Sequence, residues 1–293
     1  MFIATLIASD MLAAGDISSA RDRLADAGCA PSEGGWIDAG RAADIPFAMG
    51  SERARAALEG AFAGVDLVVQ PAEGRRKRLL IADMDSTMIT VECIDELADY
   101  AGIKAEIAAV TEQAMRGELD FAEALDARVA LLKGLEATAI EQCLAERVMI
   151  TPGARQLVRT MRAGGAMTVL VSGGFTHFAG PVGREIGFER VVANDLLIDG
   201  AALTGAVGKP IVDSSTKERT LEEELTRLDL PADAALAVGD GANDLAMIGK
   251  AGLGVAYHAK PVVAAAARAR IDHGDLSALL YAQGIPRARW ITD

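Results

Sequence analysis

Several things are scarce in this chain, and each scarcity narrows the possibilities. Only three cysteines occur in 293 residues. Cys29, Cys93 and Cys143 are widely spaced and form no Cys-x-x-Cys pair. An odd, unpatterned set indicates reduced thiols and not a disulfide framework. No apolar run approaches the roughly 20 residues needed to span a bilayer, so no membrane partner is expected. The opening segment Met1–Asp10 lacks a basic leader and a long apolar core and reads better as a strand, which makes the cytoplasm the expected location. Positive charge is also short: the formal net charge is −13, which argues against a general nucleic-acid binder. The three histidines, His177, His258 and His273, show no metal-ligand spacing. There is no internal repeat and no low-complexity tract.

What is present is more directive. The apolar run Leu79-Leu80-Ile81-Ala82 reads as a short buried strand and leads into Asp83-Met84-Asp85-Ser86-Thr87. Two carboxylates held close at the end of a hydrophobic strand repel each other, and burial raises the cost of ionising both. A bound divalent cation offsets that repulsion. The carboxyl end of a strand is also where open α/β sheets place their ligands. We therefore read Asp83 and Asp85 as a nucleophile and a general acid/base around a magnesium ion.

Residues 1–72 form a first unit, with strands predicted at Phe2–Ala8 and Val65–Val69 and helices at Ser18–Ala27 and Glu52–Phe62. Trp36 and Phe47 are expected to pack within it. The basic segment Arg75-Arg76-Lys77-Arg78 reads as a solvated linker. Residues 73–293 then alternate strands and helices. Thr168–Val171, Ala234–Val238 and Leu253–Ala256 are continuous apolar strands, as expected of a parallel sheet covered on both faces. The helical stretch of about 92–146, broken at Gly102, Gly117 and Gly134, is far longer than a crossover requires. It is expected to be a cap over the active edge of the sheet.

Four short elements follow this alternation in order: Asp83-x-Asp85-Ser86-Thr87, Ser172-Gly173-Gly174-Phe175, Lys217 near the start of a helix, and Gly239-Asp240-Gly241-Ala242-Asn243-Asp244. Each alone is ordinary turn or surface chemistry. Gly239-Asp240-Gly241 is no dinucleotide site, because Asp244 stands where a pyrophosphate would be repelled. Together the four resemble the haloacid-dehalogenase superfamily of phosphohydrolases, and within it the phosphoserine phosphatase family, over roughly residues 79–280. The resemblance implies a Rossmann-type parallel α/β sheet with an inserted helical cap. Residues 1–72 fall outside it as a small N-terminal α/β module, which resembles ACT-type regulatory domains but carries no ligand signature.

The phosphatase resemblance also implies roles for particular residues. Asp83 would attack phosphorus to give an aspartyl-phosphate, and Asp85 would protonate the leaving oxygen and then deprotonate water. Asp83, the Asp85 carbonyl and Asp240 would hold Mg²⁺, with Asp244 in support. Lys217 would neutralise charge shared with the phosphoryl oxygens. Ser172 and Gly173 would donate hydrogen bonds to them, and Asn243 would position the group. In the cap, Glu92 and Arg128 match the residues that bind the ammonium and carboxylate of O-phospho-L-serine, and Met115 and Phe121 match the apolar residues above the substrate. From spacing alone, Glu92 could equally be solvated and Arg128 could pair with Asp126 or Glu123. The alternatives to a phosphatase of serine biosynthesis are a phosphotransferase using homoserine or another alcohol, and a regulatory role for residues 1–72 as an amino-acid-sensing or homodimerising module.

Overall fold

The computed structural model describes residues 1–116 and 118–292, apart from the side chain of Met115. The Met115 side chain and the expected break at Gly117 thus lie outside the described residues.

The first 71 residues follow a βαββαβ order: β1 (Phe2–Ala8), α1 (Ala14–Asp26), β2 (Gly35–Asp38), β3 (Ala42–Phe47), α2 (Ser51–Leu58) and β4 (Val65–Pro71). The four strands make an antiparallel sheet in the order β2-β3-β1-β4. Its helix-covered face buries Leu6, Leu24, Ile45 and Phe47. Trp36, expected to pack, is instead 41% exposed. It lies on the edge strand β2, which has only one neighbour.

The basic segment after β4 also departs from expectation, for it is no solvated linker. The Arg75 guanidinium bonds both Asp44 oxygens, the Thr5 hydroxyl, and the carbonyls of Tyr281 and Ala282. Lys77 is buried, its ammonium donating to the carbonyls of Gly74 and Asp233. Arg75 therefore fastens the first sheet to the rest of the molecule, and Lys77 fastens the connecting segment to it. Asp66 adds to the junction by accepting from the backbone N–H groups of Asp272, His273 and Gly274 at 2.7–3.1 Å.

The remainder contains β5 (Leu79–Ala82), α3 (Cys93–Tyr100), α4 (Lys104–Met115), α5 (Phe121–Leu131), α6 (Thr138–Glu146), α7 (Ala154–Ala163), β6 (Met167–Phe175), α8 (Thr176–Ile186) and β7 (Arg190–Asn194). There follow β8 (Leu196–Asp199), β9 (Ala202–Val207), α9 (Ser214–Arg227), β10 (Ala235–Gly239), α10 (Leu245–Lys250), β11 (Leu253–Tyr257), α11 (Pro261–Ala266), β12 (Ala269–Ile271) and α12 (Ala278–Ala282). Six strands form one parallel sheet in the order β12-β11-β10-β5-β6-β7. Helices cover both faces, so the residues of β5 are wholly buried. Each of its Leu and Ile side chains contributes about 1.5–3 kcal/mol through burial.

The chain leaves β5 toward β6 and β7, then returns to β10 on the other side of β5. The switch point therefore opens between β5 and β10, and the loops diverge there to leave a crevice. Helices α3–α6 stand between β5 and β6. The hairpin β8–β9, which the sequence reading missed, holds them in place: Gly134 and Leu203 donate to the carbonyls of Leu203 and Leu135 respectively. Lys209, just past the hairpin, pairs with Asp126 on α5 at 2.7 Å.

Candidate active site

Asp83 follows β5, and its backbone N–H donates to the Val238 carbonyl of β10, which sets the loop at the switch point. An irregular turn follows, in which Ser86 takes a left-handed conformation at φ 55°. Such a backbone is strained by about 1–3 kcal/mol for a residue other than glycine. It brings the Ser86 hydroxyl within 2.7 Å of Glu92, tying that carboxylate to the loop that follows β5.

Asp213 caps α9 by accepting from Thr216 N. The cap fixes where the helix starts and so turns Lys217, in its first turn, inward. The Lys217 ammonium is 1% exposed and lies 2.5 Å from Asp83 Oδ1 and 2.6 Å from Asp244 Oδ1. Asp244 is itself fully buried and accepts from Gly241 N through its other oxygen. Gly239 is obligatory at this point, since an added Cβ would fall 2.3 Å from Asp244 Oδ2.

Carboxylate oxygens of Asp83, Asp240 and Asp244 lie within 4.8 Å of one another. Thr87 donates to Asp240 at 3.1 Å. One buried lysine cannot balance three such charges. Oxygen donors gathered around excess negative charge fit a hard divalent cation. The Asp85 carboxylate lies outside this cluster: Oδ1 accepts from Cys93 N at 3.0 Å, and Oδ2 sits 3.3 Å from the Ser172 hydroxyl. Its side chain is thus kept apart from the cluster, at the start of the cap.

The electrostatics follow from burial. Burial raises the Asp83 carboxyl well above the usual range, with Lys217 opposing and Asp244 adding to the rise. Asp85 is pushed up to about 6, by burial first and then by the charge of Glu92. Asp240 also rises to about 6, through burial and the neighbouring Asp244. Burial works against the Lys217 charge, yet Asp83 and Asp244 together hold it above the ordinary lysine range.

Ser172 is buried within the last residues of β6, and Gly174 N donates to its hydroxyl at 2.8 Å. A Cβ on Gly174 would lie 2.6 Å from Asp85 Oδ2, so glycine allows the two loops to meet. Asn194, at the end of β7, fastens the end of β6 to the approach to α9. Its amide donates to the carbonyls of Gly173 and Val212, and its Oδ1 accepts from Val212 N. Asn194 escaped the sequence reading, although a buried amide ending an apolar strand is itself a signal.

The cap supplies the opposite wall. Asp120 and Glu123 form a reciprocal capping box that starts α5. Phe121 then lies in its first turn and Arg128 two turns further on. Phe121 comes so near Gly173 that a Cβ there would meet its ring at 3.1 Å. Arg128 pairs with neither of its helix neighbours: Asp126 is taken by Lys209 and Glu123 by the capping box. Asp83, Asp85, Glu92, Phe121, Arg128, Ser172, Gly173, Asp240 and Asn243 all line one cavity of about 360 Å³. Lys217 and Asp244 lie beneath it. Asp95, Thr111 and Lys260, which the sequence reading did not select, line it too.

A helix-covered parallel sheet with an acidic cluster at its switch point, roofed by helices inserted after β5, is the frame of a hydrolase built on a capped Rossmann-type sheet. The chain belongs to the haloacid dehalogenase-like hydrolase family, whose model matches residues 80–249. It is 45% identical over 213 residues to phosphoserine phosphatase SerB2 of Mycobacterium tuberculosis, an alignment covering 73% of this chain and 52% of that one. It is 46% identical over 208 residues to a phosphoserine phosphatase of Albidiferax ferrireducens, covering 69% and 88%. A crystal structure of a probable phosphoserine phosphatase from Vibrio cholerae superposes with a TM-score of 0.77 at 32% identity, covering 96% of this chain and 86% of that one. The chain spans little more than half the length of the first two curated relatives it matches. Among the described residues, no helix is long and apolar enough to cross a membrane.

Proposed function

We propose that this protein is a Mg²⁺-dependent phosphoserine phosphatase acting through an aspartyl-phosphate. The observation that carries this reading is the meeting, in one cavity, of the carboxylates at the strand ends with Glu92 and with Arg128, which has no ion-pair partner among the described residues. Phosphoserine carries a carboxylate, an ammonium and a phosphate, and these residues offer a complement to each. The planar fork of Arg128 suits a carboxylate. Glu92 suits the ammonium.

In the first step an Asp83 oxygen attacks phosphorus, the bond from phosphorus to the serine oxygen breaks, and Asp85 gives that oxygen its proton. In the second step water attacks the phosphorus of the aspartyl-phosphate, Asp85 takes the water's proton, and the Asp83 carboxylate is released with inorganic phosphate. A carboxyl near 6 suits both duties, since each protonation state is accessible near neutral pH. The Ser172 hydroxyl, the Gly173 N–H and Lys217 stabilise the phosphoryl oxygens, and Asn243 positions the group. Asp83, the Asp85 carbonyl and Asp240 would hold Mg²⁺, with Asp244 behind them. When bound, the ion supplies positive charge that offsets the clustered carboxylates and the phosphoryl group. We assign residues 1–72 as a separate N-terminal module and 73–293 as the phosphatase unit, capped by about 92–146, in a cytoplasmic enzyme of serine biosynthesis.

Two outcomes test this reading. Arg128→Lys should lower kcat/KM for L-phosphoserine by about tenfold or more. The same variant should change the value for phosphoethanolamine, which has no carboxylate, by far less. Equal losses on both would remove the carboxylate assignment.

The second outcome concerns pH. Asp85 and Asp240 titrate near 6 when folded, above the ordinary value of 3.8. Without metal, the folded state therefore binds more protons than the unfolded one between about pH 4 and 6, and these groups favour folding only on the acid side of that window. Stability from them is lost as pH rises through 6, where the Asp240 carboxylate ionises and becomes available to a cation. The increase in Tm on adding Mg²⁺ should accordingly be larger at pH 7.5 than at pH 5. A shift independent of pH would place the ion away from the Asp240 carboxylate.

A further inference from the structure

We infer that Lys260 is a specificity-determining residue that recruits the phosphate end of the substrate and retains inorganic phosphate after hydrolysis, an inference that rests on the phosphatase reading above. Lys260 caps the start of α11, and its backbone N–H donates to the Asp240 carbonyl at 3.3 Å. The side chain is exposed and lines the same cavity as the catalytic carboxylates. Among the described residues, the lysines in ion pairs are Lys209, Lys217 and Lys250; Lys260 has no such partner.

The need for it follows from the charges of the cavity. Five carboxylates face it, those of Asp83, Asp85, Glu92, Asp95 and Asp240, against two cations, Arg128 and Lys260. Lys217 lies below, where Asp83 and Asp244 already hold it. With Asp85 carrying the proton it donates, a divalent cation and Arg128 together still leave the other carboxylates of the wall in excess unless Lys260 is counted. A phosphate dianion entering such a cavity is repelled unless a mobile positive charge meets it. Arg128 stands on the cap with Glu92 and Asp95 nearby, at the wall assigned to the amino-acid end. Lys260 stands on the sheet side beside the Asp240 loop. A compact ammonium on a flexible stem suits transient capture, in contrast to the fixed fork of Arg128. The two cations thus divide the substrate, one for each of its anionic ends.

The test is Lys260→Gln, assayed with saturating Mg²⁺ from low to physiological ionic strength, with Lys260→Arg as the conservative control. We expect kcat/KM to fall roughly fivefold at low salt and less at high salt, because steering of this kind is screened. The inhibition constant of inorganic phosphate should rise by a similar factor. The Mg²⁺ concentration for half activation should not move, and Lys260→Arg should restore most of the loss. Unchanged kcat/KM and phosphate inhibition would overturn the assignment. So would a shift confined to Mg²⁺ activation, which would mean that Lys260 acts only on the Asp240 loop. Phosphate inhibition can be read with any phosphomonoester the enzyme cleaves, so the result stands apart from the identity of the alcohol. If L-phosphoserine proves not to be a substrate, the proposed function fails while this test still decides the role of Lys260.

Discussion

Asp83→Asn should lower phosphate release by at least about 10⁴-fold, because it removes the atom that forms the covalent bond. The exchange is nearly isosteric, and the site is well placed to tolerate it. Asp83 is 5% exposed, and its one strong partner, Lys217, keeps Asp244 at 2.6 Å as a counter-ion. Burial already disfavours the charged form of Asp83, so a neutral amide there should leave the Tm of the metal-free protein unchanged or slightly raised. Loss of turnover with the fold intact is therefore the expected pair of results. Acid quenching of the wild type during turnover should trap an acid-stable, hydroxylamine-sensitive phosphoenzyme that the variant does not form. Substantial turnover by the variant, or a wild type in which no phosphoenzyme can be trapped, would leave direct attack by water as the mechanism.

Lys217→Met should be the most destabilising single change in the site. Its ammonium is the only cation within ion-pair distance of Asp83 and Asp244 among the described residues, and all three groups are buried. Removing one member of such a set strands the others. The usual cost is about 3–5 kcal/mol, since an uncompensated buried charge remains. Some of that loss should return when Mg²⁺ is added, because the ion supplies positive charge to the same carboxylates. Denaturant unfolding with and without Mg²⁺ would show this as a metal-dependent stabilisation larger in the variant than in the wild type. The double variant Lys217→Met with Asp244→Asn should recover stability without metal, having one fewer stranded charge. A loss no greater than that of a surface lysine would mean that Asp83 and Asp244 are neutral in the folded protein, and the charge balance drawn above would have to be abandoned.

The residues that were legible in advance share a position. Asp83, Ser172 and Asp240 each follow an apolar run that can only be a buried strand, and a polar side chain there announces itself. The same logic could have found Asn194, but its strand, Arg190–Asn194, is only half-buried along most of its length. Its apolar run, Val191-Val192-Ala193, is also only three residues long. The hairpin β8–β9 was invisible for a related reason, since Leu197 and Ile198 are 39% and 38% exposed and its buried residues contact a cap distant in sequence.

Arg75 and Lys77 show the opposite limit. Four consecutive basic residues resemble a solvated linker because the adjoining sequence offers too few acidic side chains to pair with them. Their partners, Asp44, Thr5, Asp233, Tyr281 and Ala282, come from distant segments. The same junction joins the cores of the two units: Ile7, Ala42 and Val68 of the first sheet pack into the main cluster of the second. Removing residues 1–72 would therefore expose apolar surface as well as strip away any ligand site, and is a poor test of regulation.

By itself the sequence determined the alternation of strands and helices, the order of the four motifs, the insertion after the first strand and the chemical type of each group at a strand end. Those are local properties, written in hydrophobic period and in the residues that interrupt it. Only the tertiary structure decided that Asp83, Asp240 and Asp244 share one cluster, that among the described residues Lys217 alone pairs with Asp83 and Asp244 while Arg128 has no ion-pair partner, and that Lys260 faces the same cavity. Charge balance is a property of a volume, and the residues bounding this one are drawn from segments up to 177 positions apart, from Asp83 to Lys260.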